Sequence, residues 1–140
     1  MNGAIRVKTR IVAKDVPEPA NGIFSNCIRV GDTIHLSGQH AGGPGGDVEG
    51  DPSMAGQTRT TLKKIQALIE AAGCTLEDVV KLTWFVVDID KRAEASAVRR
   101  EFFHGVMPCS TLVGVNALSA PGLLIEIDAI CIIGAGKGAV

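Results

Sequence analysis

The apolar positions of the chain follow two different spacings, and the change from one to the other separates helices from strands. Between Ser53 and Gly73 apolar residues recur every three or four positions, which predicts an amphipathic helix over residues 53–72 with Gly73 as its stop. A second stripe predicts a helix over residues 91–104. This stripe consists of Ala95, Val98 and Phe102, and the other face carries mostly Arg99, Arg100 and Glu101.

Runs of β-branched and aromatic residues predict six strands. Residues 23–30 and 33–37 are separated by the turn pair Gly31-Asp32 and are expected to form an antiparallel hairpin. The other strands are predicted at residues 5–12, 79–88, 111–118 and 123–133. In the strand 79–88 one face is expected to hold Val80, Leu82, Trp84 and Val86.

The predicted order of elements, βββαβαββ, indicates an α+β fold in which two helices cover one face of a mixed six-stranded sheet. The other face of the sheet still carries apolar side chains, and this favours an oligomer. The glycine-rich segment 40–52 is predicted to be a long loop. Residues 1–133 are expected to form one domain, followed by a mobile tail, residues 134–140, with nothing to pack against.

The composition argues against a nucleic-acid-binding, a secreted or a membrane-spanning protein. Fourteen Lys and Arg against fifteen Asp and Glu give a net charge of −1, so no general field attracts nucleic acid or anionic lipid. The first ten residues lack the apolar core of a secretory signal, and no apolar run approaches the roughly 20 residues of a membrane span. We therefore expect a cytoplasmic protein. The four cysteines are widely spaced, at Cys27, Cys74, Cys109 and Cys131. This spacing predicts reduced thiols and argues against a zinc site.

The strand 123–133 carries two candidate catalytic carboxylates on one of its faces. Glu126 shares this face with Asp128 and with aliphatic residues, opposite an uninterrupted apolar face. A carboxylate there lies either at a solvent-exposed edge or in a partly desolvated crevice, where its pKa would rise toward values that suit a general acid or base. The simpler alternative is a solvated or salt-bridged structural carboxylate, and for Asp128 we prefer it.

Two other segments bring polar groups to strand ends. Gly38 and Gln39 lead from a strand into the glycine-rich loop, so backbone amides and the Gln39 side chain can line a pocket there. The loop lacks the glycine spacing of a nucleotide-binding loop. Cys109, Ser110 and Thr111 are nucleophile types, but no histidine stands at a spacing that would pair with them, which disfavours a nucleophilic catalytic pair.

Several short segments coincide with the pattern of one family: Ser37-Gly38-Gln39, Ala71-Ala72-Gly73, Asp78-Val79-Val80-Lys81, Phe102-Phe103, Pro108, Pro121 and the run Ile125-Glu126-Ile127-Asp128-Ala129-Ile130. Over roughly residues 23–132 the chain resembles the RidA family, also called the YjgF/YER057c/UK114 family. The resemblance implies a chorismate-mutase-like fold and a homotrimer with ligand clefts between neighbouring subunits. It also implies hydrolysis of reactive enamines and imines, such as 2-aminoacrylate, to 2-keto acids and ammonia, without a metal or organic cofactor.

The resemblance also assigns roles to single residues. Glu126 matches the family glutamate that positions or activates water, whereas Ser110 stands where the family has a substrate-binding arginine. Phe24 replaces a pocket tyrosine, and Ser96 replaces an asparagine. Because serine cannot form the bidentate pair with a carboxylate, a neutral or less acidic ligand is expected. The implied pocket is lined by Phe24, Gln39, Ser110, Leu112 and Glu126.

Two functions of different classes remain open. One is an imine or enamine hydrolase in which Glu126 activates water, Ser110 and Thr111 bind the substrate, and Phe24 forms an apolar wall. The other is a non-catalytic trimeric protein that binds a small molecule, which the missing arginine favours. RNA cleavage, an older label of the family, is disfavoured by the near-neutral charge and the lack of a basic, aromatic-rich surface.

Overall fold

The computed structural model describes residues 6–140, in which two helices cover one face of a six-stranded sheet. The sheet order is β1-β2-β3-β6-β4-β5, and only β4 and β5 are parallel neighbours. The predicted α+β class and element order are confirmed. The elements are β1 (Thr9–Arg10), β2 (Cys27–Val30), β3 (Thr33–His40), α1 (Met54–Ala71), β4 (Val79–Val86), α2 (Arg92–Phe102), β5 (Cys109–Gly114) and β6 (Ile125–Ile132), with short 3-10 turns at Leu76–Asp78 and Ile89–Lys91.

Helix α1 begins and ends where its sequence predicts. The Ser53 hydroxyl caps it by accepting a hydrogen bond from the Gly56 amide at 3.0 Å. The helix ends before Gly73, whose φ of +94° is a conformation that residues with a Cβ rarely adopt. The apolar stripe packs on β3 and β6 and is fully buried, as predicted: Met54, Leu62, Ile65, Leu68, Ile69 and Ala72. Within residues 6–140 no helix is long and apolar enough to cross a membrane.

Strand β6 lies between β3 and β4, in the middle of the sheet. Its predicted apolar face is buried in the core beneath the helices: Ile125, Ile127, Ala129 and Cys131. Leu123, which precedes the strand, is buried as well. Since side chains alternate along a strand, Glu126 and Asp128 lie on the face of the sheet turned away from the helices. We call this second face the open face.

One prediction about the buried side of strand β4 is wrong. Leu82, Trp84 and Val86 face the core as expected, but Val79 is buried in place of Val80. A register shift between Val79 and Lys81 in the pairing with β6 reverses the alternation at this end of the strand.

Several strand boundaries also differ from the prediction. Within the predicted strand 5–12 the observed strand is Thr9–Arg10, and the Ile11 amide also donates a hydrogen bond to the Cys27 carbonyl of β2 at 2.9 Å. Residue 5 lies outside the described residues. Strand β2 begins at Cys27 instead of residue 23. Strand β3 continues to His40 because β6 extends opposite it as far as Glu126. Strand β5 runs over Cys109–Gly114 instead of 111–118, since its parallel partner β4 ends at Val86.

The C-terminal segment makes a contact that the sequence does not predict. The Gly136 amide donates a hydrogen bond to Asp78 Oδ1 at 2.8 Å, and Asp78 Oδ2 accepts another from the Thr75 amide at 2.9 Å. A Cβ at Gly136 would stand 2.6 Å from the Cβ of Glu77, so the backbones approach closely there. The expectation that residues 134–140 pack against nothing is therefore wrong at Gly136, while their mobility stays a prediction.

Gln57 links helix α1 to the start of β6. Its side chain is fully buried, and its Nε2 donates to the carbonyls of Pro52 and Gly122, each at 2.9 Å. Its Oε1 accepts a hydrogen bond from the Leu124 amide at 2.9 Å. This contact fixes the backbone two residues before Glu126.

Replacing Gln57 by Leu is expected to lower the free energy of unfolding by about 2–4 kcal/mol, because three backbone groups lose their partner. Urea denaturation measures the change. The control is Gln66→Leu on the same helix, since the Gln66 amide reaches only the exposed Glu70 carboxylate. Equal unfolding midpoints for the two variants would contradict the structural role of Gln57.

Candidate functional site

Glu126 lies half-buried on the open face, with His40 of β3 and Phe85 of β4 as its cross-strand neighbours. Its carboxylate lies directly over Gly38, where a Cβ would stand 2.7 Å from Glu126 Cδ. In the described part of the chain no basic nitrogen lies within 4.0 Å of this carboxylate. The structure therefore places Glu126 in a partly desolvated position on a central strand and not at a solvent-exposed edge of the sheet.

The environment of Glu126 changes its acidity. Burial raises the pKa of the Glu126 carboxyl above its ordinary value, and the nearby Asp128 carboxylate raises this pKa further. A carboxylate with a raised pKa is a better proton acceptor than one in water, and its acid form persists closer to neutral pH. Both properties suit a general base that must later return the proton.

A cavity of about 240 Å³, here called the loop cavity, adjoins Gly38 at the end of β3. Three predicted contact residues line it: Phe24, Gly38 and Gln39. The Gln39 amide already donates to the Ser37 carbonyl at 3.2 Å and to Asn26 Oδ1 at 3.4 Å, so its side chain is held in place. The rest of the lining comes from residues 16–20, Asn26, the glycine-rich loop and Lys64.

Lys64 of α1 fixes the glycine-rich loop to the body of the protein. Its Nζ donates to the carbonyls of His40 and Gly42 at 2.9 and 3.0 Å and forms an ion pair with Glu49 at 3.1 Å. His40 Nδ1 accepts a hydrogen bond from the Gly42 amide, and burial, together with the Lys64 charge, lowers the pKa of the His40 imidazole. Lys64 is not recognisable as a site residue from the sequence, because a lysine on a helix face usually indicates a solvated position.

A second cavity of about 350 Å³, here called the arginine cavity, lies between α2 and β5. It is lined by Leu82, Arg99, Arg100, Phe103, Met107, Pro108 and Ser110. Arg99 Nη1 donates a hydrogen bond to Ser110 Oγ at 2.9 Å, and the guanidinium lies 5.0 Å from the centroid of the Trp84 ring. Although Ser110 is uncharged, a guanidinium thus reaches its position from the neighbouring helix. The preference for a neutral or less acidic ligand, which was inferred from the missing arginine, stays a prediction.

The sequence contains a signal for this contact. Arg99 follows the buried Ala95 by four positions, and such pairs lie on the same side of a helix. Arg99 therefore belongs at the border of the apolar stripe and not on the solvated face that the charge pattern predicts.

The remaining predicted contacts lie apart from both cavities. Thr111 is on the open face, where Lys81 Nζ donates to its hydroxyl at 2.6 Å. Leu112 is half-buried beside Trp84 on the helix side of the sheet. Within one chain, three predicted contacts thus lie at the loop cavity near Glu126, and Ser110 lies at the arginine cavity. Thr111 and Leu112 line neither of the two cavities.

The family model described as Endoribonuclease L-PSP matches residues 14–133, which include β2 to β6 and both helices. The chain belongs to this family. The chain is also similar to the solved structure of YyfA from Yersinia pestis, a protein of the conserved Rid protein family. It superposes with a TM-score of 0.82 at 31% sequence identity, covering 91% of this chain and 100% of that one. The resemblance to the RidA family is thereby confirmed.

Two relatives of this Endoribonuclease L-PSP chain illustrate the range of the family. A RutC family protein from Pyrococcus horikoshii is 36% identical over 126 residues, covering 89% of this chain and 97% of the relative. A 2-iminobutanoate/2-iminopropanoate deaminase from Rattus norvegicus is 29% identical over 125 residues, covering 89% and 90%. The family therefore includes imine deaminases.

Proposed function

We propose that this chain hydrolyses a small imine or enamine, with Glu126 as the general base. The observation that carries the proposal is the half-buried Glu126 carboxylate, which lies over Gly38 beside the loop cavity and pairs with no cation within residues 6–140. A desolvated carboxylate that forms no ion pair costs stability, and such a cost is typical of a group retained for chemistry. The deaminase names among the relatives support the same reaction class.

The proposed reaction requires only water and one group that accepts and returns protons. Glu126 accepts a proton from water while the oxygen bonds to the imine carbon, and it passes this proton to the imine nitrogen. It then accepts the hydroxyl proton of the tetrahedral intermediate and transfers it to the nitrogen as the carbon–nitrogen bond breaks. Ammonia and a carbonyl compound leave, and Glu126 is again ionised.

We propose that neighbouring copies of the chain, in a homotrimer as the resemblance implies, complete the site. The open face carries apolar side chains, among which Val113 and Ile132 are 39% and 40% exposed in a single chain. Val113 belongs to strand β5, which lies at the edge of the sheet. Covering this face would bury apolar area and would bring groups from different copies together.

The test is hydrolysis of freshly generated imines by the wild-type protein. An amino-acid oxidase supplies 2-imino acids, an amine oxidase supplies uncharged imines, and carbonyl release is compared with that in buffer. We expect faster release from at least one class. Release at the buffer rate from every imine, with a small molecule still bound, would favour the alternative of a non-catalytic binding protein.

Sedimentation equilibrium of the same preparation tests the proposed trimer.

A further inference from the structure

We infer that His40 is a second catalytic residue beside Glu126, and that its imidazole donates a hydrogen bond to the nitrogen of the bound C=N group. The inference rests on the proposed function, since it assigns another residue to the same reaction. His40 lines the loop cavity together with Gly38, and it is the cross-strand neighbour of Glu126. The C=N group of the substrate therefore lies where the loop cavity meets the Glu126 carboxylate.

An extra residue in β3 brings His40 to the same face of the sheet as Glu126. In the pairing of β3 with β6, the register shifts between Leu36 and Gln39, and β3 uses one residue more than β6 over this stretch. Without the extra residue, Gln39 would stand opposite Glu126, and His40 would lie on the buried face. With it, His40 stands opposite Glu126, and the Cβ atoms of such a pair lie about 5 Å apart. A small group bound at the carboxylate is therefore within reach of the imidazole.

The contacts of His40 determine which of its nitrogens carries the proton. Its Nδ1 accepts a hydrogen bond from the Gly42 amide at 3.0 Å, so the neutral imidazole carries its proton on Nε2. A Cβ at Gly42 would stand 2.9 Å from Nδ1 and from Cε1, so the ring packs closely on this glycine. Within residues 6–140, Nε2 donates a hydrogen bond to no other group. The ring is thus held in one orientation, with one N–H left for a ligand.

The surroundings of His40 favour its neutral form. Burial lowers the pKa of the imidazole, and the Lys64 ammonium, which is bonded to the His40 carbonyl at 2.9 Å, lowers this pKa further. The carboxylates nearby are Glu49, which pairs with Lys64, and Glu126 on β6. A neutral imidazole donates a hydrogen bond but keeps its proton, so it polarises the C=N bond and makes the carbon more electrophilic. The protons that the nitrogen gains still come from Glu126, and His40 is unchanged at the end of the cycle.

Two amide variants separate the catalytic role of His40 from its structural contact with the loop. His40→Asn keeps an acceptor near the position of Nδ1 but loses the donor at Nε2, whereas His40→Gln places an N–H near Nε2 and loses the acceptor for Gly42. We expect His40→Asn to lower kcat for imine hydrolysis about 100-fold, the effect of losing one donor to a reacting group, with a far smaller change in KM. His40→Gln is expected to retain more kcat than His40→Asn. The control His104→Leu changes an exposed histidine after α2 and is expected to react like the wild type.

Nitrogen NMR of the full chain with isotope-labelled histidine tests the donor without turnover, and the His40→Asn spectrum assigns the His40 signals. At pH 7 we expect the proton of His40 on Nε2, and we expect the Nε2 signal to shift when acetone oxime, a stable C=N compound, is added. The inference is overturned if His40→Asn is as active as His40→Gln or more active, if the proton lies on Nδ1, or if the oxime leaves the Nε2 signal unchanged. An oxime-dependent shift in a protein that hydrolyses no imine would support C=N recognition by His40 and reject the proposed function.

Discussion

Replacing Glu126 by Gln is expected to lower kcat for imine hydrolysis about 100-fold or more, because an amide cannot accept the proton of the attacking water. Gln has nearly the same size, so the contact with Gly38 is kept. The matched control is Asp128→Asn, which removes a carboxylate two residues away on the same face of β6. We expect that variant to retain most of its kcat. An equal loss in both variants, or none in Glu126→Gln, would reject Glu126 as the base.

The same substitution is expected to raise the stability of the fold at neutral pH. Because burial and Asp128 raise the pKa of Glu126, the folded chain holds this proton more tightly than the unfolded chain does. The contribution of Glu126 to the free energy of unfolding therefore falls as the pH rises. It falls from pH 4.5, the ordinary pKa of this group, through the raised pKa of the folded chain. Glu126→Gln removes this loss, so its Tm is expected to exceed that of the wild type at pH 7. The difference is expected to shrink below pH 4.5.

The pH dependence of kcat/KM gives a further check on Glu126. Activity is expected to fall as the pH decreases through the raised pKa, so the acid limb lies above the ordinary glutamate value. Asp128→Asn is expected to move this limb to lower pH, since the Asp128 charge contributes to the shift. Of the cross-strand neighbours, Phe85 carries no charge, and the lowered pKa of His40 keeps its imidazole neutral near pH 7.

Gly38→Ala is expected to reduce kcat about 100-fold, since displacing a reacting group by an ångström has an effect of this size. The added Cβ would stand 2.7 Å from Glu126 Cδ, so the carboxylate has to leave its position over the strand end. Gly45→Ala, in the glycine-rich loop, is the control because a Cβ there meets nothing within 4 Å. Steady-state kinetics of both variants measure the effect.

A double variant tests whether Gly38 acts through Glu126. When Gly38→Ala is combined with Glu126→Gln, we expect little loss of kcat beyond that of Glu126→Gln alone, because two residues of one catalytic unit are not additive. Fully additive losses would show that Gly38 acts independently of Glu126. Unchanged kcat in Gly38→Ala would mean that the carboxylate position does not limit the reaction.

The local pattern predicted the fold well because its main elements depend on short-range periodicity. The stripe of α1 and the alternation of β6 appear in the structure as predicted, including Glu126 on the face away from the helices. The register shift beside Val79 was not predictable, since it depends on the pairing of β4 with β6. The strand ends at His40 and Gly114 likewise depend on where the partner strands end.

By itself, the sequence determined the α+β class, the order of the elements and the face that carries Glu126, because apolar spacing encodes burial directly. Only the tertiary structure decided which groups meet. Lys64 reaches the carbonyls of the glycine-rich loop, the Glu126 carboxylate lies over Gly38, and Arg99 occupies the position beside Ser110. These contacts join residues that are distant in the chain, or on different elements, so they follow from how strands and helices pack and not from local spacing.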